Sequence, residues 1–311
     1  MERSRHRWVL HASCLTAKRV RWRWLVRLLA VACVTGSLRV NADVGQVRLG
    51  AEADYTWDDN VTRARGADKL SDHFVTLSAG ATLPLQLGAH SRLLLTATAG
   101  GDYFFHYEGL SRGFVDLHGE LQYRGSSEYT APVYALFLRQ GVDWYHSDLR
   151  DGYRTSVGIS VKKPATDRVT LIGAAGYSLR NAESTVFHTR EFFVRGNLDY
   201  VLSRRQTLYF GLEYKNGDSV STVRNSPIYS SIAEAQVIDD VFGAPRWAYR
   251  LDSHTGVLTL GYNFAFSERQ GLDLSYRGVY SRPKNQPPAT LTSEDIYYYD
   301  NQLMLSYLIR F

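Results

Sequence analysis

The chain has 311 residues, with 36 Lys and Arg against 31 Asp and Glu, and its two cysteines are Cys14 and Cys33. Nine of the basic residues and one acidic residue lie in the first 42, so the remainder carries a formal net charge of −3. That charge argues against a nucleic-acid surface, and the cysteine-free remainder excludes disulfides and thiolate metal sites there. No run of 18 apolar residues occurs, which excludes helical membrane spans.

The N-terminus has the layout of a secretory signal peptide. Basic residues precede a short apolar run at 25–34, well below the roughly 20 residues that a membrane helix needs. A small residue, Ala42, follows at a suitable cleavage position. A lipoprotein signal cut before Cys33 is the rival interpretation, but Ala30 replaces the leucine usual three residues upstream. We predict a signal peptide over residues 1–42.

Residues 43–311 alternate between apolar and polar side chains in twelve segments. Each segment is about twice as long as the five or six residues of a usual soluble strand, and long enough to cross the hydrocarbon of a membrane at a tilt. Aromatic residues such as Tyr103, Trp144 and Tyr123 stand near strand ends, as in the interfacial girdles of membrane barrels. The predicted strands are 45–57, 72–83, 91–105, 112–125, 131–145, 152–163, 168–180, 188–202, 206–217, 252–266, 270–281 and 296–311.

The connections between these strands alternate in length. Those after even-numbered strands are short, whereas those after odd-numbered strands include the long segments 58–71, 218–251 and 282–295. Short periplasmic turns and long extracellular loops are typical of up-and-down barrels in outer membranes. The sequence therefore predicts an all-β fold, a single antiparallel transmembrane β-barrel of about twelve strands.

The longest connection, 218–251, contains a helix signal. Ser231 and Glu234 have the spacing of a capping box, and Ile238 and Phe242 continue an apolar stripe. We predict a short extracellular helix there. Its position stays open between two alternatives, inside the lumen or across the rim.

The polar face of the strands carries many charges. On the lipid side each would cost about 2–4 kcal/mol near the midplane, so we expect them to line the lumen. Whether twelve strands leave a narrow pore, or side chains paired across the lumen fill it, stays open. The predicted lumen-lining residues are Arg48, Glu52, Asp54, Asp116, Glu120, Arg124, Arg139, Asp143, Arg195, Glu213 and Arg277.

The last strand alternates cleanly up to Phe311, with Tyr307 and Ile309 on the same face. This ending resembles the C-terminal strand of bacterial outer-membrane β-barrels. In those proteins the terminal aromatic residue and the alternating apolar residues are read by the insertion machinery. The resemblance implies that Tyr307, Ile309 and Phe311 form an insertion signal.

An enzymatic interpretation has little support in the sequence. A twelve-stranded outer-membrane phospholipase would have this size, but its His-x-Ser-Asn-Gly stretch is missing, and adjacent His146 and Ser147 would point to opposite faces of a strand. The histidines lack metal-ligand spacing. We predict no catalytic residue, no metal site and no cofactor.

The first predicted strand and its exit contain Tyr55, Trp57, Asp59-Asn60, Val61 and Arg63, and a Leu-Ser-Asp stretch at 70–72 begins the second strand. This pattern resembles the β-barrel porins of proteobacteria that include barrels encoded in exopolysaccharide operons. The resemblance implies an outer-membrane barrel with a link to polysaccharide passage, and it transfers no catalytic residue.

The sequence thus favours a porin-like barrel of the bacterial outer membrane, with a narrow polar channel for small or charged solutes. The alternative is a non-conducting accessory barrel associated with exopolysaccharide export or envelope assembly. The expected partners are outer-membrane lipid, the barrel insertion machinery, periplasmic chaperones, and a small solute or polysaccharide. Nucleic acid is not expected.

Overall fold

The structure is a computed structural model that describes residues 43–243, 245–292 and 295–311. The predicted signal peptide lies outside these residues. No helix in the described part of the chain is long and apolar enough to cross a membrane.

Fourteen β-strands make up almost all of the fold. In chain order they are β1 (Asp43–Val44), β2 (Arg48–Asp58), β3 (Asp72–Gln86), β4 (Ser91–Phe104), β5 (Arg112–Arg124), β6 (Val133–Tyr145), β7 (Gly152–Pro164), β8 (Val169–Ala182), β9 (Thr189–Ser203), β10 (Gln206–Arg224), β11 (Ala235–Ile238), β12 (Arg246–Ala265), β13 (Gln270–Pro283) and β14 (Tyr298–Arg310). The helical elements are α1 (Pro227–Ser230) and single 3₁₀ turns at Gly66–Asp68, Glu108–Leu110, Asp148–Arg150 and Thr185–Phe187.

Twelve of these strands form a closed antiparallel barrel. Each pairs with its neighbour in the chain, and β14 pairs with β2 from Gln302↔Asp58 to Arg310↔Gly50. Closure leaves no free edge in the wall, so every strand finds backbone hydrogen-bond partners without water. β1 adds two residues to the end of β3, and β11 pairs only with β12. The predicted up-and-down barrel of twelve strands is confirmed.

The two faces of the wall differ as the alternation predicts. In β14, Leu303 and Leu305 are 49% and 47% exposed, whereas Met304 is half-buried and Ser306 is 1% exposed. The same exposed apolar phase recurs around the barrel, for example at Leu136 and Ile159. This belt of apolar side chains would have no favourable environment in water, and hydrocarbon supplies one.

Exposed aromatic side chains mark both ends of the belt. Tyr103 and Trp144 lie toward the long-loop end, and Tyr123 and Tyr200 lie toward the short-turn end. Their positions match the girdles at the two membrane–water interfaces. We call the long-loop end the outer end, because long loops are extracellular in such barrels.

The connections also match the predicted alternation in length. At the short-turn end, the β9–β10 turn has only two residues between Ser203 and Gln206. At the outer end, 59–71 and 284–297 connect β2 to β3 and β13 to β14.

The predicted limits of the longest loop are wrong. β10 and β12 continue as a paired ribbon beyond Gly217 and Ser253, up to the pair Arg224↔Arg246. The pairing of β9 with β10 stops at Gly217, and the pairing of β12 with β13 stops at Ser253. Both strands of the ribbon therefore separate from their neighbours in the wall at the same height, the Gly217↔Ser253 pair. Beyond this height the ribbon extends on the outer side, and the connection between β10 and β12 lies at its end.

The predicted helix built on Ser231, Glu234, Ile238 and Phe242 is also wrong. Ser231 ends α1 instead, and its hydroxyl donates to the Ile228 carbonyl at 2.8 Å. Glu234 donates its backbone N–H to the Arg250 carbonyl, and β11 then pairs with the free edge of β12. Hydrogen bonds to a strand distant in sequence replace the local helical ones, because β12 offers an unpaired edge at this point.

Candidate functional site: the lumen and its outer mouth

A network of ion pairs covers one side of the lumen. We call it the charge ladder, and it consists of Asp102, Arg112, Asp143, Arg154, Asp116 and Arg139, on β4 to β7. Arg112 donates to Asp102 at 2.6 Å and to Asp143 at 3.0 Å. Arg154 donates to the other oxygen of Asp143 at 2.8 Å. The three aspartates and three arginines cancel in charge, so this wall is polar and neutral.

The ladder depends on close approach between strands. Gly141 faces the Asp116 carboxylate, and a Cβ at this position would overlap that carboxylate. The absent side chain therefore lets Asp116 reach Arg139 at 2.8 Å and Arg154 at 3.4 Å. A glycine in a strand is commonly found where another group approaches this closely.

The wall on the other side of the lumen is acidic. β14 stands six strands away from β7 in a ring of twelve, which places it across the lumen. The inward positions of β2, β13 and β14 carry three arginines against five carboxylates, which leaves a formal charge of −2. The arginines are Arg48, Arg277 and Arg310, and the carboxylates are Glu52, Asp54, Asp58, Asp273 and Asp300. None of the five lies within 4.0 Å of a basic side-chain nitrogen in the described residues.

Arginines stand opposite these carboxylates. Arg180 on β8 donates to the backbone carbonyl of Arg150, and Arg195 on β9 lies 5.8 Å from the ring centre of Phe193. Neither forms an ion pair among the described residues. The lumen therefore has an acidic wall facing a wall with uncompensated arginines.

Two aromatic rings narrow the lumen beside Arg195. Phe137 and Phe193 stack at 6.5 Å between ring centres, and each lies against a glycine of an adjacent strand, Gly158 and Gly176 respectively. Both rings are more than nine-tenths buried. They fill space beside the wall rather than presenting free faces.

The structure places all eleven predicted lumen-lining residues on the face opposite the exposed apolar phase. Asp116, Arg139 and Asp143 come together in the charge ladder, and Glu52 and Asp54 lie together on the acidic wall. The other six are dispersed: Arg48 and Arg124 toward the short-turn end, and Glu120, Arg195, Glu213 and Arg277 along the strands.

Sequence reasoning missed Arg112 and Arg154, the two arginines that bridge the ladder. Arg112 shares the inward phase of Asp116 on β5, and Arg154 faces Gly141 in register, on the phase of Arg139 and Asp143 of β6. Counting every charge on that phase would have found them. Nothing in the local sequence signals which aspartate each one contacts.

A tripod of carboxylates lies at the outer end of the acidic wall. Oxygens of Asp58, Asp59 and Asp300 are all within 4.8 Å of one another. Both Asp59 oxygens already accept hydrogen bonds, from Lys69 at 2.6 Å and from Asn301 at 2.8 Å. Partial burial opposes ionisation, yet these donors hold the pKa of Asp59 below its ordinary value. Protein donors thus already use both oxygens of Asp59, one of the three carboxylates.

The ribbon of β10 and β12 and its connection lie across the outer mouth. We call the described residues 219–243 and 246–251 the lid. Its apolar residues Val220, Ala235 and Ala248 pack with Val186 and Phe187 of the β8–β9 loop. Farther along the ribbon, Val223 and Tyr249 pack with Ala64 of the β2–β3 loop.

The tip of the lid reaches the opposite side of the barrel. Phe242 lies 5.0 Å from Tyr107 between ring centres, and Val241 contacts Gly109, both in the β4–β5 loop. The strands β4 and β5 stand six places from β10 and β12 in the ring of twelve. The lid therefore spans the full width of the mouth. The segment lies across the rim, but the helix whose position the sequence left open does not form.

Ion pairs and hydrogen bonds hold the tip in place. Arg150 donates to Asp239 at 2.7 Å, with side chains that are 6% and 0% exposed. Ser147 donates to Asp240 at 2.7 Å. Asp239 also accepts from Thr222 within the lid at 2.8 Å. We call this group of contacts the latch.

Comparison with known structures supports the fold. An outer membrane channel from Pseudomonas putida F1 aligns with 88% of this chain and 97% of its own, at 12% identity and a TM-score of 0.52. The two chains share a fold. The KdgM porin aligns over 83% of this chain and 98% of its own, at 10% identity and a TM-score of 0.41. The NanC porin aligns over 84% and 98%, at 7% identity and a TM-score of 0.43.

No protein-family model matches the sequence. No curated protein matches it either. The shared fold is that of an outer-membrane β-barrel, and the exposed apolar belt between two aromatic girdles agrees with that location.

Proposed function

We propose that this chain is a porin-like barrel of the outer membrane, and that small charged or polar solutes cross the membrane through its lumen. The observation that carries the proposal is the separation of charge across the lumen. Burying carboxylates without basic partners, such as Glu52 and Asp54, is costly unless water reaches them. A wet lumen with an acidic wall facing Arg180 and Arg195 would orient a solute that carries both charges.

The proposed function requires partners that insert the barrel and surround it, and it involves no catalysis. Membrane lipid would cover the apolar belt. Periplasmic chaperones and the barrel insertion machinery would deliver and fold the chain, because a barrel with an exposed apolar outer face aggregates in water.

Purified barrels in planar bilayers test this function directly. We expect discrete conductance steps and a reversal potential, measured in a salt gradient, that changes when Glu52 and Asp54 are both replaced by glutamine and asparagine. A folded barrel without any conductance, including when the lid is removed, would refute the channel.

Removing Phe311 is expected to slow assembly severalfold. Its backbone N–H donates to the Leu49 carbonyl at 2.9 Å, at the seam where β14 meets β2, and its ring is 72% exposed toward the lipid side. The measurement is the rate at which folded barrel appears in membranes after induction. Removing exposed Tyr129 from a short turn by substitution with Ser serves as the control. Equal assembly rates for both variants and the parent would contradict an insertion signal.

The lid favours a second candidate, a non-conducting accessory barrel in exopolysaccharide export or envelope assembly. A structure that covers the mouth suits a barrel whose outer loops bind another molecule. Deleting the gene separates the two candidates, because loss of a channel lowers solute uptake and loss of an accessory barrel leaves uptake unchanged.

A further inference from the structure

We propose that the lid is a hinged gate, which turns at Gly217 and closes when Asp239 docks on Arg150. This inference rests on the proposed channel function and adds a regulated opening to it. Three observations carry it: a hinge, a stiff arm and a polar latch.

The hinge is the level at which the ribbon leaves the wall. Gly217 has a φ of +148°, and a Cβ there would overlap the Arg190 carbonyl of β9. Only glycine combines this backbone conformation with so close an approach. The pairing with β9 and with β13 ends at this level, so the two chain segments at Gly217 and Ser253 are the only covalent supports of the lid.

The arm moves as one body. Seven consecutive cross-strand pairs, from Asp218↔Asp252 to Arg224↔Arg246, join the two halves of the ribbon. β11 adds four more pairs along β12. A three-stranded unit of this kind resists bending within itself, so rotation concentrates at its base.

The latch at the tip is polar, whereas nearer the base the ribbon docks through the apolar clusters around Ala64 and Val186, which must separate when the lid turns. Arg150 and Asp239 exchange their mutual ion pair for water when they separate, and the net free-energy change for such an exchange is small. The guanidinium of Arg150 also lies 4.3 Å from the ring centre of Phe187, which fixes its position while the lid is away. At the far tip, Val241 and Phe242 make apolar contact with the β4–β5 loop.

A disulfide across the tip tests the gate. A Cβ built at Gly109 lies 3.2 Å from the Val241 Cβ, a few tenths of an ångström short of the usual spacing in a disulfide. The chain after residue 42 has no cysteine, so Gly109→Cys with Val241→Cys creates a unique pair. We expect conductance in bilayers to fall at least about tenfold on oxidation and to return on reduction. Each single-cysteine variant should respond to neither treatment.

Removing the latch tests the opposite direction. Replacing Arg150 with Met and Asp239 with Asn together removes the ion pair without leaving a lone buried charge. We expect the open fraction of single-channel recordings to rise severalfold. Replacing the exposed Arg168 of a short turn with Met is the matched control and should change nothing.

A third variant, with residues 225–245 replaced by Asn-Gly, separates the possible failures. An oxidised cysteine pair that conducts like its reduced form overturns the gate and leaves the channel intact. Conductance only in the variant with the shortened lid also overturns the gate, because the lid is then a permanent plug. No conductance in any of the three variants overturns the channel itself.

Discussion

Leu305→Arg is expected to destabilise the folded barrel by about 2–4 kcal/mol. Leu305 sits near the middle of β14, is 47% exposed, and pairs with Leu274 and Tyr55, which are also exposed. An arginine there would place its charge in hydrocarbon near the midplane, beyond easy reach of either interface. The measurement is urea unfolding in lipid vesicles, followed by the change in gel migration between folded and unfolded barrels.

Met304→Arg is the control at the same depth. Met304 has the opposite phase and pairs with Ser275 and Thr56 on the lumen side. Its arginine would reach water, so we expect a loss of less than about 1 kcal/mol. Equal losses at the two neighbouring positions would show that the exposed face of β14 does not meet lipid.

Asp143→Ala is expected to cost about 3 kcal/mol in unfolding free energy, because two arginines of the charge ladder lose their shared buried carboxylate. Among the described residues, Arg112 then keeps only Asp102 as an ion-pair partner, and Arg154 keeps only the longer contact to Asp116. The Asp143 carboxylate is fully buried, whereas Arg112 and Arg154 are 23% and 30% exposed. Water therefore partly solvates the two arginine charges when the carboxylate is removed. For this reason the expected loss in unfolding free energy lies at the low end of the range for a broken buried ion pair. The same urea titration in vesicles measures the loss.

The same substitution is expected to change ion selectivity. Without Asp143 the lumen wall gains a net positive charge, so the reversal potential in a salt gradient should shift toward anions. Glu268→Ala, which removes an exposed carboxylate from the short turn between β12 and β13, is the control. A loss of stability without any shift in reversal potential would mean that solutes do not pass the charge ladder.

The barrel wall was predictable because its physics is local. A residue on the lipid face contacts hydrocarbon and its neighbour on the lumen face contacts water. Each strand therefore shows an alternation of apolar and polar residues that reveals which face points outward. Eleven of the wall's charged inward positions could be read from that alternation alone, Glu52 and Asp116 among them. The ion-pair partners of those charges depend on the register between strands, and the sequence of a single strand does not determine that register.

The lid was predicted poorly because its contacts are distant in sequence. Ser231 and Glu234 have helix-capping spacing. In the structure, however, the backbone N–H of Glu234 donates to the Arg250 carbonyl, and the Glu234 carboxylate forms an ion pair with the Arg250 guanidinium at 3.3 Å. Val237 belongs to a cluster with Val186 and Phe187, about 50 residues earlier. Propensity at this segment is weak compared with an open strand edge and an apolar surface already in place.

The docking surfaces of the lid constrain the order of assembly. They lie on the loops that follow β2, β4, β6 and β8, so at least eight strands must take their places before the lid can settle. Until then nothing spans the mouth. During biogenesis the mouth would therefore stay uncovered until most of the wall has formed.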